Sequence, residues 1–222
     1  MQSIASKIDH TLLKPDATPA QIESLCKEAL SFGTASVCVN PIYVPLCHRL
    51  LANSSVKVCT VVGFPLGAST SKSKAFEAAE AVSLGASEID MVISVASAKA
   101  GDKNALVDDI KAVEEASSGA IVKVILEACL LTDAEKVLVC EAALEAGAHF
   151  VKTSTGFSTG GATVADVALF RSVVGDKMQI KAAGGIRTYD NALAMLSAGA
   201  DRLGASATAL ILAEESRRAG RI

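Results

Sequence analysis

Residues 145–152 read Glu-Ala-Gly-Ala-His-Phe-Val-Lys. An alanine-rich helical segment runs into Gly147, one small residue follows, and a short apolar run ends on a lysine. Glycine takes positive φ without steric cost, so it is the usual residue for stopping a helix and turning the chain. The joint recurs at Gly33 in SFGTASVCV, Gly85 in SLGASEIDMVI, Gly119 in SSGAIVKVIL and Gly199 in SAGADRLG, with a looser copy at Gly175 in VVGDKMQIKA. The chain is therefore expected to repeat one helix-to-strand unit along its length.

Working outward from these joints gives the elements. Thr18-Pro19-Ala20-Gln21 and Thr132-Asp133-Ala134-Glu135 are capping boxes, in which a threonine and the residue three positions on satisfy each other's free backbone donors. They open helices over Ala20–Phe32 and to about Ala146. Further helices are expected over Pro41–Leu51, Ser71–Leu84, Lys103–Ser117, Thr163–Val174, Tyr189–Ser197 and Ser206–Arg218. Short apolar runs predict strands at Ile8–Leu13, Ala35–Val39, Val56–Val62, Glu88–Ile93, Ile121–Leu126, His149–Lys152, Met178–Lys181 and Asp201–Gly204. Alternating strands and helices imply a parallel sheet with right-handed crossovers. Eight such units predict an α/β fold, a single (β/α)8 TIM barrel over residues 1–222. Periodicity alone also fits a doubly wound open sheet.

Half of the 222 residues are hydrophobic but only 4% are aromatic, so aliphatic side chains must build the core. The net charge is −3 with the signs interspersed, which excludes the basic stripe of a nucleic-acid binder. No apolar run is long enough to span a bilayer, and no leader-like stretch opens the chain. Six cysteines form no CxxC pair and three histidines form no HxxxH. The expected reading is reduced, buried thiols in a cytoplasmic protein, with no metal site and no membrane partner. SVCVN, KVCTVV and EACLL place Cys38, Cys59 and Cys129 in apolar runs.

In a barrel, chemistry sits at the C-terminal ends of the strands. There the sequence offers Asp9, Asn40, Asp90, Lys123 and Glu127 (read as sharing one face of VKVILE), Lys152 and Lys181. Lys152 and Lys181 end consecutive strands, which lie about 5 Å apart. Two confined ammonium groups are expected to depress each other's pKa, leaving a free amine able to attack a carbonyl. With Asp90 as a proton-transferring carboxylate, the set suits a Schiff-base aldolase. Gly184 and Gly185 after strand seven, and Gly204 to Ser206 leading into a final helix, form the pattern of a phosphate-binding turn. The turn Gly63–Gly67 reads as structural.

Seven motifs carry a resemblance: IDHTLLKP, SVCVNP, VCTVVGFPLG, EIDMVI, KVILEACLLT, FVKTSTGFSTGGAT and KAAGGIRT. In this order they resemble the deoxyribose-phosphate aldolases along nearly the whole chain. The resemblance implies a metal-free, class I barrel aldolase that needs no cofactor beyond a covalent Schiff base. Such an enzyme reversibly cleaves 2-deoxy-D-ribose 5-phosphate to D-glyceraldehyde 3-phosphate and acetaldehyde in deoxyribose phosphate catabolism. It further implies Lys152 as the Schiff-base lysine, Asp90 and Lys181 as proton-transfer residues, and Asp9 and Thr155 near the substrate. The phosphate is expected at Gly156, Gly184, Gly185, Gly204 and Ser206, and a homo-oligomer, dimer or tetramer, is expected. Ala183 and Ala207 depart from the family pattern at the phosphate end. Two other readings fit the residues: an isomerase or synthase whose lysines only bind anions, and a non-catalytic sugar-phosphate sensor.

Overall fold

The structure, a computed structural model, describes residues 3–220; the ends of the expected 1–222 span lie outside them. Eight parallel strands, β1 (Ile8–Leu12), β2 (Ser36–Val39), β3 (Lys57–Val62), β4 (Glu88–Val92), β5 (Ile121–Ile125), β6 (Phe150–Lys152), β7 (Gln179–Ala183) and β8 (Arg202–Ala205), pair in sequence order. β8 returns to β1 and closes the barrel. The open-sheet alternative is thereby excluded.

The connecting helices are α1 (Pro19–Phe32), α2 (Val44–Leu51), α3 (Ser71–Ser83), α4 (Val95–Lys99), α5 (Lys103–Ala116), α6 (Asp133–Ala146), α7 (Val164–Val174), α8 (Tyr189–Ser197) and α9 (Thr208–Arg218). Both predicted capping boxes form, at Thr18 and Thr132. Gly33 and Gly147 terminate α1 and α6 in the left-handed conformation, at φ 68 and 83. The short α4 has no counterpart in the sequence reading, and Pro41–Tyr43 forms a 3-10 turn ahead of α2.

Two boundaries move in ways that matter. β7 continues past Lys181, because Ala182 and Ala183 pair with Leu203 and Gly204 of β8. Lys181 therefore lies within its strand, while Lys152 does end β6. The last helix begins at Thr208 instead of Ser206; Ala207 has no side chain to cap it, and Ser206 sits in the preceding turn.

Strand residues alternate between the barrel interior and the helix layer. In β4, Ile89 and Met91 join the apolar shell under the helices, with Val37, Val39, Val122, Val124, Val151, Ile180 and Leu203 from other strands. That shell is the hydrophobic core. Glu88 and Asp90 alternate with them and meet charged residues of other strands inside the barrel. A small second cluster of Leu13, Cys38, Cys59 and Val61, with Phe64 against it, lies apart from that shell. All six cysteines are free, and five are buried. Cys129 is exposed, contrary to expectation, because EACLL leaves the strand and enters a 3-10 turn at Ala128–Leu130.

Candidate active site

Seven ionic side chains from six strands fill the barrel interior where apolar packing is usual. Lys152 Nζ and Lys181 Nζ both donate to Asp90 Oδ2, each at 2.7 Å. Asp90 Oδ1 accepts from Lys123 Nζ at 2.9 Å and from the Cys59 thiol at 3.2 Å. Lys181 also forms an ion pair with Asp9 Oδ2, and the other Asp9 oxygen accepts from Arg202 at 2.6 Å. Glu88 completes the network, 2.6 Å from Lys123 and 3.2 Å from Arg202. Lys152 and Lys181 are direct register partners on β6 and β7, so the strand pairing itself brings them side by side.

Burial disfavours every charge here, and the pairings reverse that penalty. Asp90 is held well below the usual carboxylate range, because Lys123, Lys152 and Lys181 outweigh its desolvation. Asp9 is lowered in the same way by Lys181, Lys123 and Arg202. Lys181 goes up: desolvation pulls it down, but Asp9 and Asp90 hold it as an ammonium. The expected mutual depression of two lysines thus fails at Lys181. Its neighbour's charge is the weaker influence beside two carboxylates, one of them (Asp9) contributed by the far end of the chain.

Of the seven groups, Lys152 alone lines the cleft at the C-terminal mouth of the barrel, a space of ≈ 240 Å³. Thr155, Gly156, Gly184, Gly185, Gly204 and Ser206 also line it. Asp90, Lys181 and Asp9 lie beneath it, fully buried. Gly204 has a further role: a Cβ there would stand 2.9 Å from Ala183 Cβ and 3.2 Å from Lys181 Cε, so glycine leaves room for the Lys181 stem.

The sequence reading missed Lys14 and Arg187, which also line the cleft. Together with Lys152 they make its ionic lining wholly cationic, since none of the lining residues is acidic. Their signal lay in the quoted motifs LLKP and GGIRT. It also misjudged Glu127, which stands two residues past β5, with its carboxylate on Thr155 and no contact to Lys123. Asn40 donates its side-chain amide to the carbonyls of Leu13 and Lys14, at 3.2 and 3.4 Å, and so anchors the β1 loop.

A buried amine at the mouth of a (β/α)8 barrel, with a carboxylate and an ammonium behind it, defines an aldolase, a lyase. A family model described as DeoC/LacD family aldolase matches residues 4–212, and the chain belongs to that family. It is 61% identical over 208 residues to a deoxyribose-phosphate aldolase of Streptococcus pneumoniae, covering 94% of each chain. Against one of Clostridium kluyveri the identity is 56% over 212 residues, with 95% and 97% covered. The tetrameric deoxyribose phosphate aldolase of Aeropyrum pernix superposes with a TM-score of 0.89 at 37% identity, covering 97% of this chain and 91% of that one.

Proposed function

We propose that the protein reversibly cleaves 2-deoxy-D-ribose 5-phosphate through an imine on Lys152. The observation that carries this reading is the meeting of Lys152 and Lys181 on one oxygen of Asp90, directly under a cleft whose ionic lining is cationic. The ion-paired network holds three carboxylates (Asp9, Glu88, Asp90) against four basic groups (Lys123, Lys152, Lys181, Arg202). With Lys152 as the neutral amine, the buried charges balance, and this is the form that attacks a carbonyl.

Lys152 Nζ adds to C1 of the open-chain sugar. Asp90 takes the proton released by nitrogen and passes it to the former carbonyl oxygen, giving a hydroxyl; Lys181 then protonates that hydroxyl, so water leaves and an iminium remains. Deprotonation of the C3 hydroxyl then breaks C2–C3; the bonding pair moves into C1–C2, giving an enamine on Lys152 and free glyceraldehyde 3-phosphate. Protonation at C2 and hydrolysis release acetaldehyde and regenerate the amine. The substrate phosphate occupies the end bounded by Gly156, Gly184, Gly185, Gly204 and Ser206, with Lys14 and Arg187 at the rim and Thr155 in the adjoining wall.

The iminium is the electron sink, so this chemistry needs no metal. Two donor sets that share Cys59, Cys38–Cys59–Asp90 and Asp9–Cys59–Glu88, each have atoms within 4.8 Å of one another. Lys123 Nζ stands 3.3 Å from Cys59 and 2.9 Å from Asp90, a cation where a metal ion would need space. A cytoplasmic location and a homo-oligomer belong to the same reading, supported by the six free thiols and the tetrameric relative. No helix among the described residues is long and apolar enough to cross a membrane. Incubation of the purified protein with 2-deoxyribose 5-phosphate tests the proposal: stoichiometric acetaldehyde and glyceraldehyde 3-phosphate are expected, and no release contradicts it.

A further inference from the structure

Glu127 is one of two non-glycine residues with positive φ among the described residues, at φ 53 and ψ 61. An L-residue held there costs about 1–2 kcal/mol, and such strain persists only where surrounding contacts enforce it. Its carboxylate is buried and takes part in no ion pair among the described residues. Instead it accepts both donors of Thr155, the hydroxyl and, at 3.3 Å, the backbone N–H. Thr155 Oγ1 in turn accepts the N–H of Phe157 at 3.0 Å.

The two halves of the loop Thr153–Phe157 are therefore held by different groups, and the Glu127 side chain bonds only the second; the Thr153 carbonyl accepts the backbone N–H of Ala128 at 2.9 Å. Thr153 is tied to β7: its N–H donates to the Lys181 carbonyl at 3.1 Å, and its hydroxyl bonds the Ala183 carbonyl and N–H at 3.0 Å each. Thr155 and Phe157 are tied to Glu127. Between them Gly156, at φ 83, keeps a backbone N–H with no acceptor among the described residues, at the wall of the cleft.

We propose that Glu127 is a positioning residue for substrate selection: by engaging Thr155, and through it Phe157, it leaves the Gly156 N–H as the one free donor among the turn residues that line the cleft, available to the anionic end of the substrate. It thereby sets the preference for a phosphorylated over a neutral sugar. This rests on the reading of the cleft as a phosphate site. The sign of the effect separates it from simple electrostatics. A buried carboxylate near the cleft repels a phosphate, so neutralising it would strengthen binding through the field alone. Loss of the positioning contacts weakens binding instead. Lys152 and Thr153 are held by bonds from Leu126 and Ala128 on one side and to Lys181 and Ala183 on the other, none of them made by the Glu127 side chain, so imine chemistry is independent of that carboxylate.

The test compares wild type, Glu127→Gln and Thr155→Val for kcat and KM on 2-deoxyribose 5-phosphate and on 2-deoxyribose. Glutamine keeps the shape but presents an amide NH2 to one of the two Thr155 donors. The expected result is a KM for the phosphate ester raised about tenfold, the loss of about one good hydrogen bond. For Glu127→Gln the values for the neutral sugar and the yield of borohydride-trapped acetaldehyde adduct stay within about twofold on the same scale; Thr155→Val, which alters the cleft wall itself, is read only for the ester and in the double variant. The double variant is expected to be no worse than the worse single one, because both changes break one linkage. Equal losses on both sugars in Glu127→Gln, an unchanged or lowered KM for the ester, or additive losses overturn the proposal. If Glu127→Gln does not fold, Glu127→Asp, which keeps the charge but draws the carboxylate back from Thr155, decides between the same outcomes. A wild type that does not favour the ester refutes the phosphate reading itself, whatever the variants do.

Discussion

At the residue scale, Asp90 is the hinge of the site, with both its oxygens taken by lysines. Asp90→Asn keeps the shape but removes the proton acceptor and one of the network's three negative charges. We expect kcat to fall by about 10²–10⁴, the usual worth of a positioned acid–base group. Steady-state cleavage assays measure it, and a loss below tenfold contradicts the role given to Asp90. Lys152, Asp90 and Lys181 were legible in the sequence because each is a charge inside a short apolar strand. Glu88 and Arg202 were not, since their pairing joins positions 114 residues apart and no local pattern records it. The state of Lys181 was misread for the same reason: the decisive partner is Asp9, at the other end of the chain.

At the element scale, the capping boxes and glycine joints specified the order of strands and helices, because both are local hydrogen-bonding devices. The length of β7 was not legible, since Ala182 and Ala183 become strand only through pairing with β8. Loop packing was equally hidden. A Cβ on Gly161 would lie 2.3 Å from the Gly184 carbonyl oxygen, and the Ala162 N–H donates to that same oxygen at 3.0 Å. Gly161→Ala must therefore push the β6 loop off the Gly184–Gly185 turn. The expected outcome is a KM for the phosphate ester raised by about tenfold, with imine formation from acetaldehyde retained. Parallel KM and trapping measurements check this.

At the scale of the whole molecule, the barrel has an apolar shell outside its strands and an ionic network inside them. This arrangement has a pH signature. Asp9 and Asp90 titrate below their ordinary value of 3.8, so their stabilising contribution is complete above that pH and is lost as pH falls below it. Lys181 titrates above its ordinary 10.5; its contribution is complete below that value and is lost only as pH rises through the higher folded one. For these groups unfolding free energy should be level from about pH 5 to 10 and fall below about pH 4. Urea titrations across that range test it, and Asp9→Asn should flatten the acid limb.

The network also singles out Lys152, the one basic group in excess of the carboxylates and the only member of the set open to the cleft. The most direct measurement is borohydride trapping with acetaldehyde, followed by intact-mass and peptide mass spectrometry. Wild type should gain one ethyl group, 28 Da by the chemistry of imine reduction, on the peptide containing Lys152, and Lys152→Leu should gain none. Equal labelling of Lys152→Leu, or an adduct located on Lys181 or Lys123 in wild type, would contradict the account.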